Sequence, residues 1–271
     1  MLYKIEVNIN NINCSQSKII NMIDDNSTVL DLGCACGDIG DYLHQHKNCI
    51  LTGLEYDIER IKFAKQRNVY KELFQLDLND INKTNETLSN LKNKFDYIIC
   101  GDILEHLYNP QDVIKNLKSF LKANGYFVIS LPNIAHGSIK LNLLKDNFSY
   151  TKLGLLDETH IRFFTHKSIS SFLLQTRLEL IEFNHVFRPF DSPSENVKML
   201  DYPIEIIKYI AEDEKAFIYQ YVFKAKKALY DEETSLDYLK SINQAQMIMS
   251  ENEKKGLEKC IQRTFEQISA S

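Results

Sequence analysis

Tryptophan is missing from the 271 residues, and glycine and proline are sparse at nine and five. That scarcity excludes a collagen-like or low-complexity chain and leaves long stretches free to form regular elements. No uncharged run reaches membrane length and no N-terminal apolar stretch has the form of a secretory leader, so the expectation is a cytoplasmic protein with no membrane partner. Six cysteines stand at 14, 34, 36, 49, 100 and 260 without CxxC spacing. They read as small reduced hydrophobes, which argues against a disulfide frame or a zinc site. Positive charge is also in short supply. The 32 Lys and Arg against 37 Asp and Glu leave a net charge of −5, with no electrostatic case for nucleic acid as the default partner.

What is present is enough apolar material, 44% of the chain, for one substantial core. The organising stretch is Val29-Leu30-Asp31-Leu32-Gly33-Cys34-Ala35-Cys36-Gly37-Asp38-Ile39-Gly40. An apolar run breaks into small residues and resumes as a helix, the pattern of a buried parallel strand, a tight turn and a helix N-terminus. Gly33 and Gly37 allow close backbone approach to a ligand, and the first N–H groups of the helix face it. A dinucleotide fingerprint needs glycine at the first, third and sixth turn positions, which here hold Gly33, Ala35 and Asp38, so NAD and FAD are disfavoured. The plain alternative is a glycine turn closing an ordinary strand–helix unit.

Along the chain, a short helix is expected over 15–23, a helix over 39–46, and strands over 49–55, 74–78 and 95–102. A helix follows from Pro110 with Val113, Ile114, Leu117, Phe120 and Leu121 on one face and Gly125 past its end. A fifth strand runs from Tyr126 to Leu131. The long segment 133–166 carries an amphipathic stretch (Ile139, Leu143, Leu144) and an irregular piece rich in Tyr, Phe and His, placed where lids and acceptor walls form. A helix over 168–175, strands over 178–187 and 216–226, and a helix over 204–211 complete a domain spanning 1–228. The remainder, 229–271, reads as a helical extension with Leu236, Leu239, Leu257, Ile261, Phe265 and Ile268 at helical spacing and Gly256 separating two helices. Packing on its own domain competes there with a homodimer or partner contact.

Asp31 and the glycine turn resemble the first motif of class I S-adenosylmethionine (AdoMet) methyltransferases, with Ala35 departing from its glycine pattern. The run Phe95–Pro110, containing Cys100-Gly101-Asp102-Ile103-Leu104-Glu105-His106, resembles the fourth-strand motif of members related to the ubiquinone-pathway O-methyltransferases. Ser130-Leu131-Pro132-Asn133 and Thr159-His160-Ile161-Arg162-Phe163-Phe164-Thr165 resemble segments of bacterial members associated with surface-polysaccharide synthesis. The resemblance implies a Rossmann-like α/β fold with a seven-stranded sheet, mostly parallel with the last strand antiparallel, and helices on both faces. It assigns Asp31, Gly33, Ala35, Gly37, Glu55, Tyr56, Asp77, Leu78 and Cys100 to AdoMet. Glu55, ending the second strand about twenty residues past the turn, suits a ribose diol; Asp77 and Leu78 are assigned to adenine.

Asp102, Glu105 and His106 would share a face if a helix begins at or just after Asp102. With His160 they suit Mg²⁺ or Mn²⁺, an arrangement similar to the magnesium site of small-RNA 3′-terminal 2′-O-methyltransferases. Without a metal, His106, His136 or His160 are the candidate bases. The leading reading is an AdoMet-dependent O-methyltransferase acting on a sugar, sugar nucleotide or related small metabolite, with a role in polysaccharide synthesis. RNA 3′-end methylation and a catalytically idle AdoMet-fold subunit are the alternatives.

Overall fold

The computed structural model describes residues 7–191, 195–228, 238, 242 and 248–269. Seven strands form one sheet: β1 (Thr28–Leu32), β2 (Ile50–Glu55), β3 (Tyr70–Gln75), β4 (Phe95–Gly101), β5 (Leu121–Pro132), β6 (Leu178–Phe187) and β7 (Ile218–Lys227). Their order is β3-β2-β1-β4-β5-β7-β6, with β7 antiparallel to both of its neighbours and β1 to β5 parallel. The helices that cover the two faces of the sheet include α1 (Ser15–Asn21), α2 (Asp38–Lys47), α3 (Ile58–Gln66), α4 (Ile81–Thr87) and α5 (Pro110–Leu117). They continue with α6 (Gly137–Leu144), α7 (His166–Gln175), α8 (Ile204–Ala211) and α9 (Glu251–Ser269). This is the Rossmann-like architecture that the resemblance implies.

Central strands read as nearly continuous apolar runs because both of their faces are covered. In β4, Tyr97 and Ile99 pack with Val29 and with Ile19 and Ile20 of α1. Ile98 and Cys100 point to the other side, with Leu30 and with Ile114 and Leu117 of α5. The period of two thus divides one strand between two cores, and each large apolar side chain so buried contributes about 1.5–3 kcal/mol. The strand order reverses between β1 and β4, which opens a crevice at their carboxyl ends.

Several boundaries differ from the sequence expectation. The third strand begins at Tyr70, earlier than expected, because its half-exposed edge position gives it a mixed pattern instead of an apolar run. Helix α5 stops at Leu117, where Phe120 N–H donates to the Leu117 carbonyl, and Leu121 already pairs with Phe95. Gly125 therefore lies inside β5, where a Cβ would press against the Phe95 carbonyl at 2.9 Å. Helix α6 buries Ile139, Leu141 and Asn142, whereas Leu143 and Leu144 are exposed.

Gly256 does not divide two helices: it sits within α9, whose N-terminus is capped reciprocally by Ser250 and Glu253. Leu257 and Cys260 bury α9 in the same core as Phe183 of β6. Glu253 reaches further, accepting from the backbone N–H of His185 and lying 3.5 Å from Lys18 Nζ. The spacing at Leu236 and Leu239 lies outside the described residues, as does the side chain of Ile268.

Candidate active site

The turn after β1 takes left-handed backbone at Gly33 (φ +62°), Ala35 (φ +49°) and Gly37 (φ +79°). Glycine accommodates this freely, but Ala35 does so at a cost. A buried carboxylate helps to hold it there: Glu55 Oε2 accepts the Ala35 N–H at 2.9 Å while Oε1 accepts that of Asp57 at 2.8 Å. Each oxygen keeps a further lone pair, so a ribose diol can still be bound. A Cβ at Gly33 would come within 2.7 Å of Ile103 Cδ1.

Beneath the turn, Tyr70 donates its hydroxyl hydrogen to Asp31 Oδ2 at 2.7 Å. Burial pushes the Asp31 carboxyl up to about 7 against the opposing pull of that hydrogen bond. The Tyr70 ring lies against Gly37, Gly40 and Gly53, where added Cβ atoms would crowd it. Arg67 secures the outer side, donating from Nε to the Cys36 carbonyl at 2.6 Å and from Nη1 to Asp41 at 2.7 Å, and pairing with Asp38.

A cavity of about 380 Å³ opens at the carboxyl ends of β1, β2 and β4. Gly33, Glu55, Tyr56, Asp77 and Leu78 line one part of it, and Ile103, His106, Tyr108, Thr159 and Ile161 line another. Five of the nine residues assigned to AdoMet are therefore brought together. Asp31 and Cys100 are buried within β1 and β4; they, Ala35 and Gly37 are absent from the lining. Asp77 Oδ1 accepts two hydrogen bonds from Asn79, at 2.9 and 3.0 Å, which leaves Oδ2 for a donor in the cavity. The pocket and its acceptor-rich rim fit an adenosyl ligand. A larger cavity, about 580 Å³, lies away from the turn between the 10–13 segment, α1, β6 and α9.

At the wall opposite the turn, donor atoms of Glu105, His106 and His160 lie within 4.8 Å of one another. The Thr159 carbonyl is 3.1 Å from His106 Nδ1 and the Leu155 carbonyl 3.2 Å from His160 Nδ1. A carbonyl can only accept, so each Nδ1 carries the hydrogen and each Nε2 keeps its lone pair. Glu105 is 1% exposed, with Oε1 3.9 Å from His160 Nε2 and Oε2 buried without a hydrogen-bond partner. Burial, reinforced by the charge of Asp102, holds this carboxyl well above its ordinary range. Burial also lowers the His160 imidazole, with His106 adding to the effect.

Two expected site residues lie apart from this set. No helix starts at Asp102. Its φ is +49°, and a 3₁₀ turn, Leu104–His106, follows Ile103. Asp102 Oδ1 accepts from Ser130 Oγ at 2.6 Å and Gln220 Nε2 at 3.1 Å, so among the described residues the converging set forms without it. His136 caps α6 and is fully buried, with Nε2 donating to the Arg188 carbonyl at 3.1 Å and Nδ1 2.7 Å from Ser138 Oγ. Both ring nitrogens are occupied, and His136 does not line the cavity.

Sequence reasoning missed Ile103 over Gly33, Tyr70 and Arg67 behind the turn, and Thr159 on His106. Thr159 adjoins His160 in a segment already singled out; Tyr70 and Arg67 carried no motif, because their roles depend on contacts made across the fold.

A family profile described as "Methyltransferase domain" matches residues 23–255. The ubiquinone biosynthesis O-methyltransferase of Haemophilus ducreyi is 33% identical over 109 residues, 39% of this chain and 45% of that protein. The Coxiella burnetii enzyme of the same description is 34% identical over 105 residues, 39% of this chain and 43% of that one. The chain thus matches less than half the length of these curated relatives. Among solved structures, a SAM-dependent methyltransferase from Archaeoglobus fulgidus superposes with a TM-score of 0.55 at 19% identity, covering 81% of this chain and 95% of its own. An O-methyltransferase from a Brevibacillus brevis polyketide synthase, solved with S-adenosyl-L-homocysteine, gives 0.54 at 14% identity, covering 93% and 84%. At such identities the likeness shows the fold. With the family match across most of its length, the strand order and the turn that faces Glu55, the chain belongs to the class I S-adenosylmethionine-dependent methyltransferases.

Proposed function

We propose that the protein transfers a methyl group from AdoMet to a hydroxyl of a sugar or related small metabolite. The observation that carries the reading is the single cavity that joins the Glu55 rim to the His106 wall. Bound AdoMet supplies a methyl group on a cationic sulfur, already activated for transfer. Glu55 anchors the ribose, Asp77 and Leu78 hold the adenine, and the Gly33 backbone permits close approach of the remainder. Positioning of this kind, with water excluded, can account for several kcal/mol of barrier reduction.

The acceptor hydroxyl must lose a proton, and one lone pair at the cavity wall is placed for that task. His106 lines the cavity with Nδ1–H committed to Thr159, so its Nε2 is the atom placed to receive the proton. With a divalent ion in place that lone pair would be a ligand instead of a base: His106, His160 and the Glu105 carboxylate form a donor set that fits one, and the orphaned, buried Glu105 Oε2 supports that reading. Two imidazoles to one carboxylate favour Mn²⁺ over Mg²⁺. When bound, such an ion would lower the pKa of a coordinated hydroxyl.

Calorimetry with AdoMet, S-adenosylhomocysteine and NAD, followed by methyl transfer to a pool of sugars, tests the reading. Binding of the first two and labelled methyl on a sugar oxygen are expected. Tighter binding of NAD, or methyl recovered only on nitrogen or carbon acceptors, would overturn it.

A further inference from the structure

In the 133–166 segment, Phe148 stands edge-on to Tyr150 and to Phe163, with ring centroids 5.6 and 6.1 Å away. All three rings face solvent, at 41%, 57% and 36% exposure. Single exposed aromatics need no explanation, but three linked through the central Phe148 ring are an organised surface. Phe164 is buried and bridges to Asn133, so the neighbouring Phe163 is turned outward, as is Ile161 two residues earlier. Ile161 lines the cavity. The aromatic shelf is therefore joined to the site by one short stretch, 161–163.

Charge narrows what the shelf accepts. Of the four cations in residues 137–165, Lys140 faces Asp213 at 3.7 Å, and Lys145 faces Asp201 at 3.4 Å while lying over the Tyr202 ring. Arg162 donates to carbonyls, to Tyr108 O at 3.0 Å and Ile161 O at 3.2 Å, and has no acidic partner among the described residues. Lys152 is the remaining one. A diphosphate-bearing ligand calls for a cluster of available Lys or Arg, and this stretch offers only Lys152 and Arg162 without an acidic partner among the described residues. An uncharged ring with one apolar C–H face and polar edges matches exposed aromatic faces flanked in the chain by the exposed Asn147 and Ser149.

Building on the O-methyltransferase reading, we infer that the acceptor is a neutral glycan, whose pyranose unit stacks on one exposed ring face of the Phe148, Tyr150 and Phe163 cluster while its reacting hydroxyl enters at His106. Nucleotide-activated sugars are then poor acceptors, which places methylation after sugar transfer.

The absence of tryptophan supplies the test, since Phe148→Trp creates a single fluorescent reporter on the shelf. This variant is titrated with neutral tetrasaccharides of glucose, mannose, galactose and N-acetylglucosamine, with UDP-glucose and GDP-mannose, and with catechol. Saturation-transfer NMR on the unaltered protein covers any disturbance from the indole. A saturable emission shift with at least one neutral tetrasaccharide is expected, weakened tenfold or more by adding Phe163→Ala. In the unaltered background, Phe163→Ala should raise the KM for that saccharide at least tenfold, with kcat and AdoMet affinity within about threefold. A response confined to the nucleotide sugars or catechol, or none to any saccharide, overturns the inference. Calorimetry separates the two levels: loss of AdoMet binding would defeat the methyltransferase reading itself, whereas AdoMet binding without a saccharide response defeats only the glycan shelf.

Discussion

Glu105 Oε1 and His160 Nε2 stand 3.9 Å apart with both side chains buried, too far for a hydrogen bond and close enough to share a cation. With His106 as the third donor, Mn²⁺ should restore turnover to a chelated sample and raise the melting temperature. Glu105→Ala and His160→Ala should abolish both effects, while AdoMet affinity stays within about twofold because the ion faces the acceptor. Full activity in metal-stripped protein would remove the ion and leave His106 as the base.

Glu55 holds the strained Ala35 amide and lines the cavity with the same carboxylate. Glu55→Ala should weaken AdoMet binding by roughly 1.5–3 kcal/mol, the range of a charge-assisted hydrogen bond. Isothermal calorimetry measures it. An unchanged dissociation constant in folded protein would show that the ribose lies elsewhere.

Asp31 is raised from 3.8 to about 7, chiefly by burial and against the Tyr70 hydrogen bond. The folded state therefore holds this proton more tightly than the unfolded chain, and its contribution to stability falls as pH rises from about 4 to about 7. Asp31→Asn keeps an acceptor for Tyr70 and removes the charge. It should stabilise the fold at pH 8 by on the order of 1–4 kcal/mol and have little effect near pH 4. Denaturant titrations at the two pH values give the difference directly, and an equal effect at both would contradict the assignment.

His136 and His106 should part company under mutation. Burial lowers His136 to about 4, so its neutral form supports the fold above pH 6.5, and that support is lost as pH falls from 6.5 towards 4. His136→Ala leaves a void and strands its hydrogen-bond partners, costing about 2–4 kcal/mol of stability with kcat per folded molecule nearly unchanged. His106→Ala should lower kcat by roughly 10²–10⁴ with little change in melting temperature. The opposite pattern would restore His136 as the base.

Local pattern carried most of the architecture: the turn at Gly33–Gly37, Glu55 at the end of β2 and the bounds of α8 follow from sequence spacing. The departures arise where distant residues decide. Asp102 is drawn away from Glu105 by Ser130 and Gln220, which lie 28 and 118 positions further along the chain. Gly256 stays within α9 because a capped N-terminus and packing against β6 outweigh a glycine cost of about 1 kcal/mol. His136 looked chemical by residue type, and its role as a cap depends on Arg188.

The position of β7 between β5 and β6 has a consequence for the protein while it is being made. Strand β5 can pair with β4 once both have emerged, but its other edge is covered by β7, which follows roughly 90 residues later in the chain. At ordinary elongation rates that edge stays open for on the order of 10 s. It carries Phe127, Val128, Ile129 and Leu131, all fully buried in the finished sheet, so the nascent chain passes through an interval when an unpaired apolar strand is available to other chains.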